Sequence, residues 1–137
     1  MFIENNRPTW KSINVTLSPF SKFDLDYCDY HNYCLHLGNT NLFIKGSVGN
    51  VISGKDKYGF VYVMNGASLS LVNVTLSKFR HCFVNHEGIS CVNSSFIDND
   101  AYDSFTKVSG GVIDNHSSAC FDNCIFSGNR ASTEVIK

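Results

Sequence analysis

A chain of 137 residues can hold one domain with a modest core, and its formal net charge of −1 gives it no electrostatic hold on nucleic acid or on an anionic membrane surface. A hydrophobic share of 43% excludes a disordered chain. No run reaches the roughly 18 apolar residues of a membrane-spanning helix, and the two prolines and scattered charges leave no linker or low-complexity tract.

Residues 1–10 carry charge and amides where a signal peptide needs an apolar stretch. That leaves a cytoplasmic protein and a segment of a longer secreted one both open. Residues 12–20 share Asn-Val-Thr-Leu-Ser and a final Phe with residues 71–79, which reads as a further coil. Pro8 and Pro19 keep it at an edge, because proline cannot donate to a central ladder. Residues 22–36 fit no register, so residues 1–40 are expected to form an irregular capping segment with a partial coil. From residue 41 the pattern is regular. Leu42 and Ile44 alternate inward, Gly46 and Gly49 turn the chain, and Val51 and Ile52 begin the next strand.

Residues 60–80, 80–100 and 110–130 then align without gaps, at offsets of 20 and 30 residues. Asn65, Asn85 and Asn115 share one column, and Asn73, Asn93 and Asn123 another. Within each repeat the side chains alternate as a strand requires. Leu69 and Leu71, Ile89 and Cys91, and Ala119 and Phe121 face one way, while Ser68, Ser70, Ser90, Ser118 and Cys120 face the other. Asparagine interrupts each run, and it tolerates the left-handed backbone of a sharp corner. After that corner Leu76, Phe96 and Phe126 point inward, and a third strand aligns Val63, Phe83 and Ile113. No window holds an apolar helical stripe. The expectation is an all-β parallel β-helix of four to five coils, rising about 4.8 Å per coil. Leu71, Cys91 and Phe121, with Leu76, Phe96 and Phe126, fill its interior, and amide columns bond along the stack. The coils span residues 41–132, with a loop insertion near 101–109 and a tail at 133–137.

The wording GASLSLVNVTLSKF, GISCVNSSFIDNDA and SSACFDNCIFSGNRAS resembles the repeats of adhesin-like surface proteins of methanogenic archaea, and is similar to bacterial polymorphic outer-membrane-protein repeats. NLFIKGSVGNVISG resembles the opening coil of the archaeal proteins. The resemblance covers residues 41–132. It implies a right-handed, pectate-lyase-like β-helix displayed on a cell surface, or secreted, that contacts glycans or other surface proteins. Those proteins are usually longer, with a signal peptide and an anchoring domain. The sequence is therefore expected to be a fragment or a shortened product, prone to self-association through open ends.

Enzymes of the pectate-lyase-like type cut acidic polysaccharides, so a carbohydrate-active enzyme, or a degenerate form of one, is the rival reading. Asp98, Asp100, Asp103, Asp114 and Asp122 are its candidate carboxylates. Asp98 aligns with Lys78 and Gly128, Asp100 lies between Arg80 and Arg130 in a surface charge ladder, and Asp122 aligns with two valines. No paired acidic motif forms, and no catalytic residue is assigned. His86 and His116, one strand spacing apart, could share a metal, yet Gly66 breaks their column and no third ligand follows. Cys28, His31, Cys34 and His36 form C-x2-H-x2-C-x-H among tyrosines, which suits an aromatic cap better than a one-sided zinc site. No cofactor or metal is assigned. Cys82, Cys91, Cys120 and Cys124 are expected as free thiols, and the pairing of Cys28 with Cys34 stays undecided. Sequons at Asn14, Asn73, Asn93 and Asn115 are by-products of corner asparagines, Asn14 alone being a plausible acceptor.

Overall fold

The structure is a computed structural model and describes residues 2–4, 11–25, 33–101, 111–131 and 136. Its strands, in chain order, are β1 (Phe2–Glu4), β2 (Lys11–Thr16), β3 (Lys22–Asp24), β4 (Tyr33–Gly38), β5 (Thr40–Lys45), β6 (Val51–Ser53), β7 (Gly59–Met64) and β8 (Ser68–Val72). They continue as β9 (Thr75–Ser77), β10 (Phe83–Asn85), β11 (Gly88–Val92), β12 (Ser95–Ile97), β13 (Ile113–Asn115), β14 (Ser118–Asp122) and β15 (Ile125–Ser127). The chain visits three sheets in rotation. The first runs β1-β4-β7-β10-β13, the second β2-β5-β8-β11-β14 and the third β3-β6-β9-β12-β15, each five strands deep. Every ladder is parallel. The molecule is a parallel β-solenoid, with no helix among the described residues.

Short β-branched and aromatic runs make the strands, and left-handed corners make the turns. Asn73, Asn93 and Asn123 hold φ of 58°, 50° and 53°. A second left-handed column follows the third sheet, at Lys78 (55°), Asp98 (53°) and Gly128 (69°). Gly46 stands in the Asn73 column, where a Cβ would strike the Asn73 carbonyl.

Between the corners the core is a set of columns. Leu42, Leu69, Ile89 and Ala119 lie above one another in the second sheet, as do Ile44, Leu71, Cys91 and Phe121. Ile52, Leu76, Phe96 and Phe126 form the third-sheet column. Leu71, Cys91, Leu76 and Phe96 are wholly buried, whereas Phe126, in the last coil, is 37% exposed.

Three registers differ from the sequence reading. Asn85 lies opposite Val63, not Asn65, and Phe83 lies opposite Val61, not Val63. The first sheet thus steps by twenty-two residues, from 61 to 83, while the second and third step by twenty. The two additional residues sit at the corner after β7, where Asn65 and Gly66 both turn left-handed (50° and 74°). A gap-free alignment cannot see an insertion that only one of three sheets feels. Asn65 is a corner residue outside the asparagine ladder, and its neighbour along the stack is Asn39, whose amide donates to the Asn65 carbonyl at 3.0 Å.

The second difference lies in residues 12–20. Val15 pairs with Ile44, which pairs with Leu71, so Asn14 lies mid-strand and Leu17 takes the corner. The shared words are three residues out of phase with the shared structure. Third, the described parts of residues 22–36 do hold registers: Phe23 pairs with Ile52 and Leu35 with Val61, and the strand continues with Leu37 on Val63. The solenoid therefore begins well before residue 41. The insertion expected near 101–109 falls, beyond Ala101, outside the described residues.

Candidate ring row on the first sheet

Strand alternation on the first sheet turns Leu35, Leu37, Val61, Val63 and Phe83 inward, and sends His36, Tyr62, Val84 and Asp114 to the outer face in one column. His86 and His116 follow at the corner. Two amides fix that corner. Asn85, wholly buried, donates through Nδ2 to Asn115 Oδ1 at 2.7 Å and to the Ser118 carbonyl at 2.9 Å. Its Oδ1 accepts from the Glu87 amide at 3.1 Å, while Asn115 Nδ2 donates to the Ser117 carbonyl at 2.7 Å. The backbone amides of His86 and His116 then donate to Val63 and Asn85.

So held, the rings form a row. His36 stacks on Tyr62 with centroids 5.4 Å apart and planes 6° apart. Tyr62 leans on His86 at 5.5 Å, and its hydroxyl shares a 3.1 Å hydrogen bond with His86 Nε2. His86 stacks on His116 at 4.7 Å and 7°. Tyr33 lies edge-on to His36 and Tyr62, over Gly59, where any Cβ would enter its ring. Burial pushes the Tyr33 hydroxyl far above its ordinary range, with the charge of Asp114 and the neighbouring Tyr62 adding to the effect. At the far end His116 Nε2 comes within 3.3 Å of Asp114 Oδ1. That oxygen is buried without a hydrogen bond, so the contact has ion-pair distance and poor alignment.

The metal reading of His86 and His116 meets this geometry directly. Two stacked imidazoles present faces to each other, not converging lone pairs, and each Nε2 already faces Tyr62 or Asp114. Among the described residues no three His, Cys, Asp or Glu stand close enough to hold an ion. Cys28 and His31, half of the C-x2-H-x2-C-x-H motif, lie outside the described residues. Cys34 and His36 are buried, 4% and 2% exposed.

The carboxylates are dispersed. Asp100 meets Arg130 at 3.1 Å, both side chains substantially exposed. Asp98 occupies a left-handed corner against Gly128, and Asp122 is exposed on β14. Asp103 lies outside the described residues. Asn93 and Asn123 share an exposed amide bond of 2.6 Å, from Asn123 Nδ2 to Asn93 Oδ1.

A third amide ladder escaped the sequence reading. Asn99, wholly buried, donates to the Leu76 carbonyl and to Asn129 Oδ1, and accepts from the Phe79 amide at 3.0 Å. Asn129 repeats this one coil on, donating to the Phe96 carbonyl. The thirty-residue offset carries the signal, but Phe79 occupies the same column one coil earlier and conceals it. Cys82, Cys91, Cys120 and Cys124 carry free thiols, and burial raises those of Cys82 and Cys91 well above the usual range.

An open groove of about 650 Å³ runs along the corner between the second and third sheets, past Leu17, Gly46, Val48, Asn50 and Asn73. Among the described residues lining it, Lys45 is the one that carries a charge. Among the described residues no helix is long and apolar enough to cross a membrane. The chain matches no protein-family model, no curated protein and no solved structure.

Proposed function

We propose that this solenoid is a non-catalytic binding segment of an adhesin-like cell-surface protein, whose outer walls contact glycans or other surface proteins. The observation that supports it most directly is the row His36, Tyr62, His86, His116, with successive centroids 5.4, 5.5 and 4.7 Å apart. Rings stacked on each other use their faces internally; His36 is buried at the base of the row, and Tyr62, His86 and His116 are the members that reach the surface. The Tyr62 hydroxyl and His86 Nε2 bond each other and His116 Nε2 faces Asp114, so a partner would meet the remaining ring edges, repeated at the strand spacing. A polymer with a short repeat can engage several at once, and such polyvalent contact multiplies weak single contacts. Ser68, Ser70 and Ser90 on the second sheet, and Thr75, Ser77 and Ser95 on the third, repeat hydroxyls at the same spacing. Display on a cell surface belongs to the same proposal and rests on the resemblance of the repeats.

A polysaccharide lyase or glycosidase would need carboxylates at a defined separation. The dispersal of Asp98, Asp100 and Asp122 favours binding over turnover. The experiment is a glycan-array and surface-protein screen beside a polygalacturonate cleavage assay, using the wild-type chain and a Tyr62→Ala, His86→Ala double variant. Binding should fall at least about tenfold in the double variant, since clustered aromatic contacts carry much of a binding energy. Binding indifferent to both rings would remove the row from the site. Cleavage that depends on Asp114 would establish the enzyme instead.

A further inference from the structure

The outermost strands of the stack are complementary surfaces of one molecule. Among the described residues β2 and β3 leave one edge of the second and third sheets unpaired, and β14 and β15 leave the opposite edge. Because every ladder is parallel and in register, the edge beyond β14 offers what β11 offers to β14, and β2 can accept it as β5 accepts β2. Carrying the columns forward one coil sets Ile13 on Ala119, Val15 on Phe121 and Phe23 on Phe126, apolar on apolar throughout. These are the columns whose central members, Leu71 and Leu76, are wholly buried, whereas Val15, Phe23 and Phe126 are 37%, 39% and 37% exposed. On the outer face Lys22 meets Ile125, itself 59% exposed, and Thr16 meets Asp122, so no like charges are opposed. On the first sheet Ile136 already bridges to Ile113, which confines the contact to the other two sheets.

We infer that a second copy of this chain docks head to tail, its β2 and β3 extending the sheets that end at β14 and β15. The contact joins two different surfaces and leaves the far ends free, so it propagates as a filament and does not close. Flat continuation of a sheet edge supplies backbone hydrogen bonds, and the matching columns supply specificity of register.

Sedimentation velocity of the full chain at increasing concentration tests this. The wild type should grow beyond a single 15.2 kDa chain as concentration rises. Ile125→Lys sets a lysine against the incoming Lys22 and should weaken association at least roughly tenfold, since opposed like charges at an interface are costly. Adding Lys22→Glu to the same chain should restore it. A contact between two identical ends could not be restored this way, because the introduced lysine would still face its own counterpart in the second copy. Thr16→Asp, opposed to Asp122 and rescued by Asp122→Lys, is an independent pair should Ile125→Lys fail to fold by circular dichroism. A wild type that stays a monomer throughout, association untouched by either single change, or losses that neither rescue reverses would each overturn the inference.

Discussion

The second and third sheets differ from the first in a way that separates scaffold from chemistry. Between the coil of β8 and β9 and that of β11 and β12 the second and third sheets step by twenty residues, and their inward columns stay apolar from Leu42 and Ile52 to Ala119 and Phe126. In the first, the step lengthens to twenty-two, and an apolar inward column of Leu37 and Val63 becomes an amide column of Asn85 and Asn115. Its outer face carries the ring row, where the other two carry hydroxyls. Regular columns hold the stack together, while the irregular sheet gathers the polar groups a partner could read.

The largest effect should come from breaking a regular column at its centre. Phe96 is wholly buried, stacked on Phe126 at 5.0 Å and edge-on to Phe83 and Phe121. Phe96→Asp removes those contacts and buries an unpaired charge, a loss of more than about 5 kcal/mol, comparable to the whole stability of a small domain. Thermal unfolding should show no cooperative transition. Phe126→Asp, one coil outward and part-exposed, should leave a folded protein, and equal damage from the two would mean that the columns are misregistered.

The first sheet should break through its amides. Asn85→Ala leaves the Glu87 amide and the Ser118 carbonyl short of a partner in a part-buried corner, at about 0.5–1.5 kcal/mol. It should also release the corner that carries His86, so the two histidine rings should lose their mutual ring-current shift in proton spectra. Denaturant midpoints unchanged from wild type would show that the ladder is ornamental.

Strand alternation and the twenty-residue step were legible because each depends on side chains a few positions apart, as with Leu69, Leu71 and their counterparts. What the repeat could not reveal followed from geometry between coils. The Asn65–Gly66 corner hides its two additional residues because only the first sheet registers them. Asn99 and Asn129 stack on each other, but Phe79 fills their column one coil earlier, so it did not read as a ladder. The words of residues 12–20 mislead because Asn-Val-Thr suits a mid-strand and a corner alike, and the pairing of Val15 with Ile44 decides between them. Tyr33, His36 and Tyr62 carry no periodic signal at all. Their meeting is a product of the fold, and the candidate site was the part least visible in the sequence.

Buried thiols give the comparison a pH dependence. Cys82 and Cys91 release protons in the unfolded chain near their ordinary value of 9.0, but hold them to far higher pH when folded, chiefly through burial. With the folded value raised, the unfolded state binds fewer protons above that point, so the contribution is complete below about pH 9 and is lost as pH rises. Stability should fall by roughly 1 kcal/mol per pH unit for each thiol. Cys91→Val should halve that slope while leaving the column packed. Alkylation of the native protein should label Cys120 and spare Cys82 and Cys91.

The smallest expected effect is also the one of opposite sign. Lys78 and Asp98 turn left-handed where Gly128, two coils beyond Lys78, does the same without a Cβ. A left-handed residue with a side chain costs roughly 1–2 kcal/mol, and glycine gives part of that back through the greater freedom it adds to the unfolded chain. Lys78 is exposed, so little packing is lost with its side chain. Lys78→Gly should therefore raise stability by up to about 1 kcal/mol, read as a higher denaturant midpoint at constant slope. Asp98→Gly should gain less, because the Asp98 side chain lies against Gly128 and helps to cover that corner. If Lys78→Gly destabilised the protein instead, lysine at that position would be holding something the left-handed corner does not explain, and the regular sheets would carry more than scaffold.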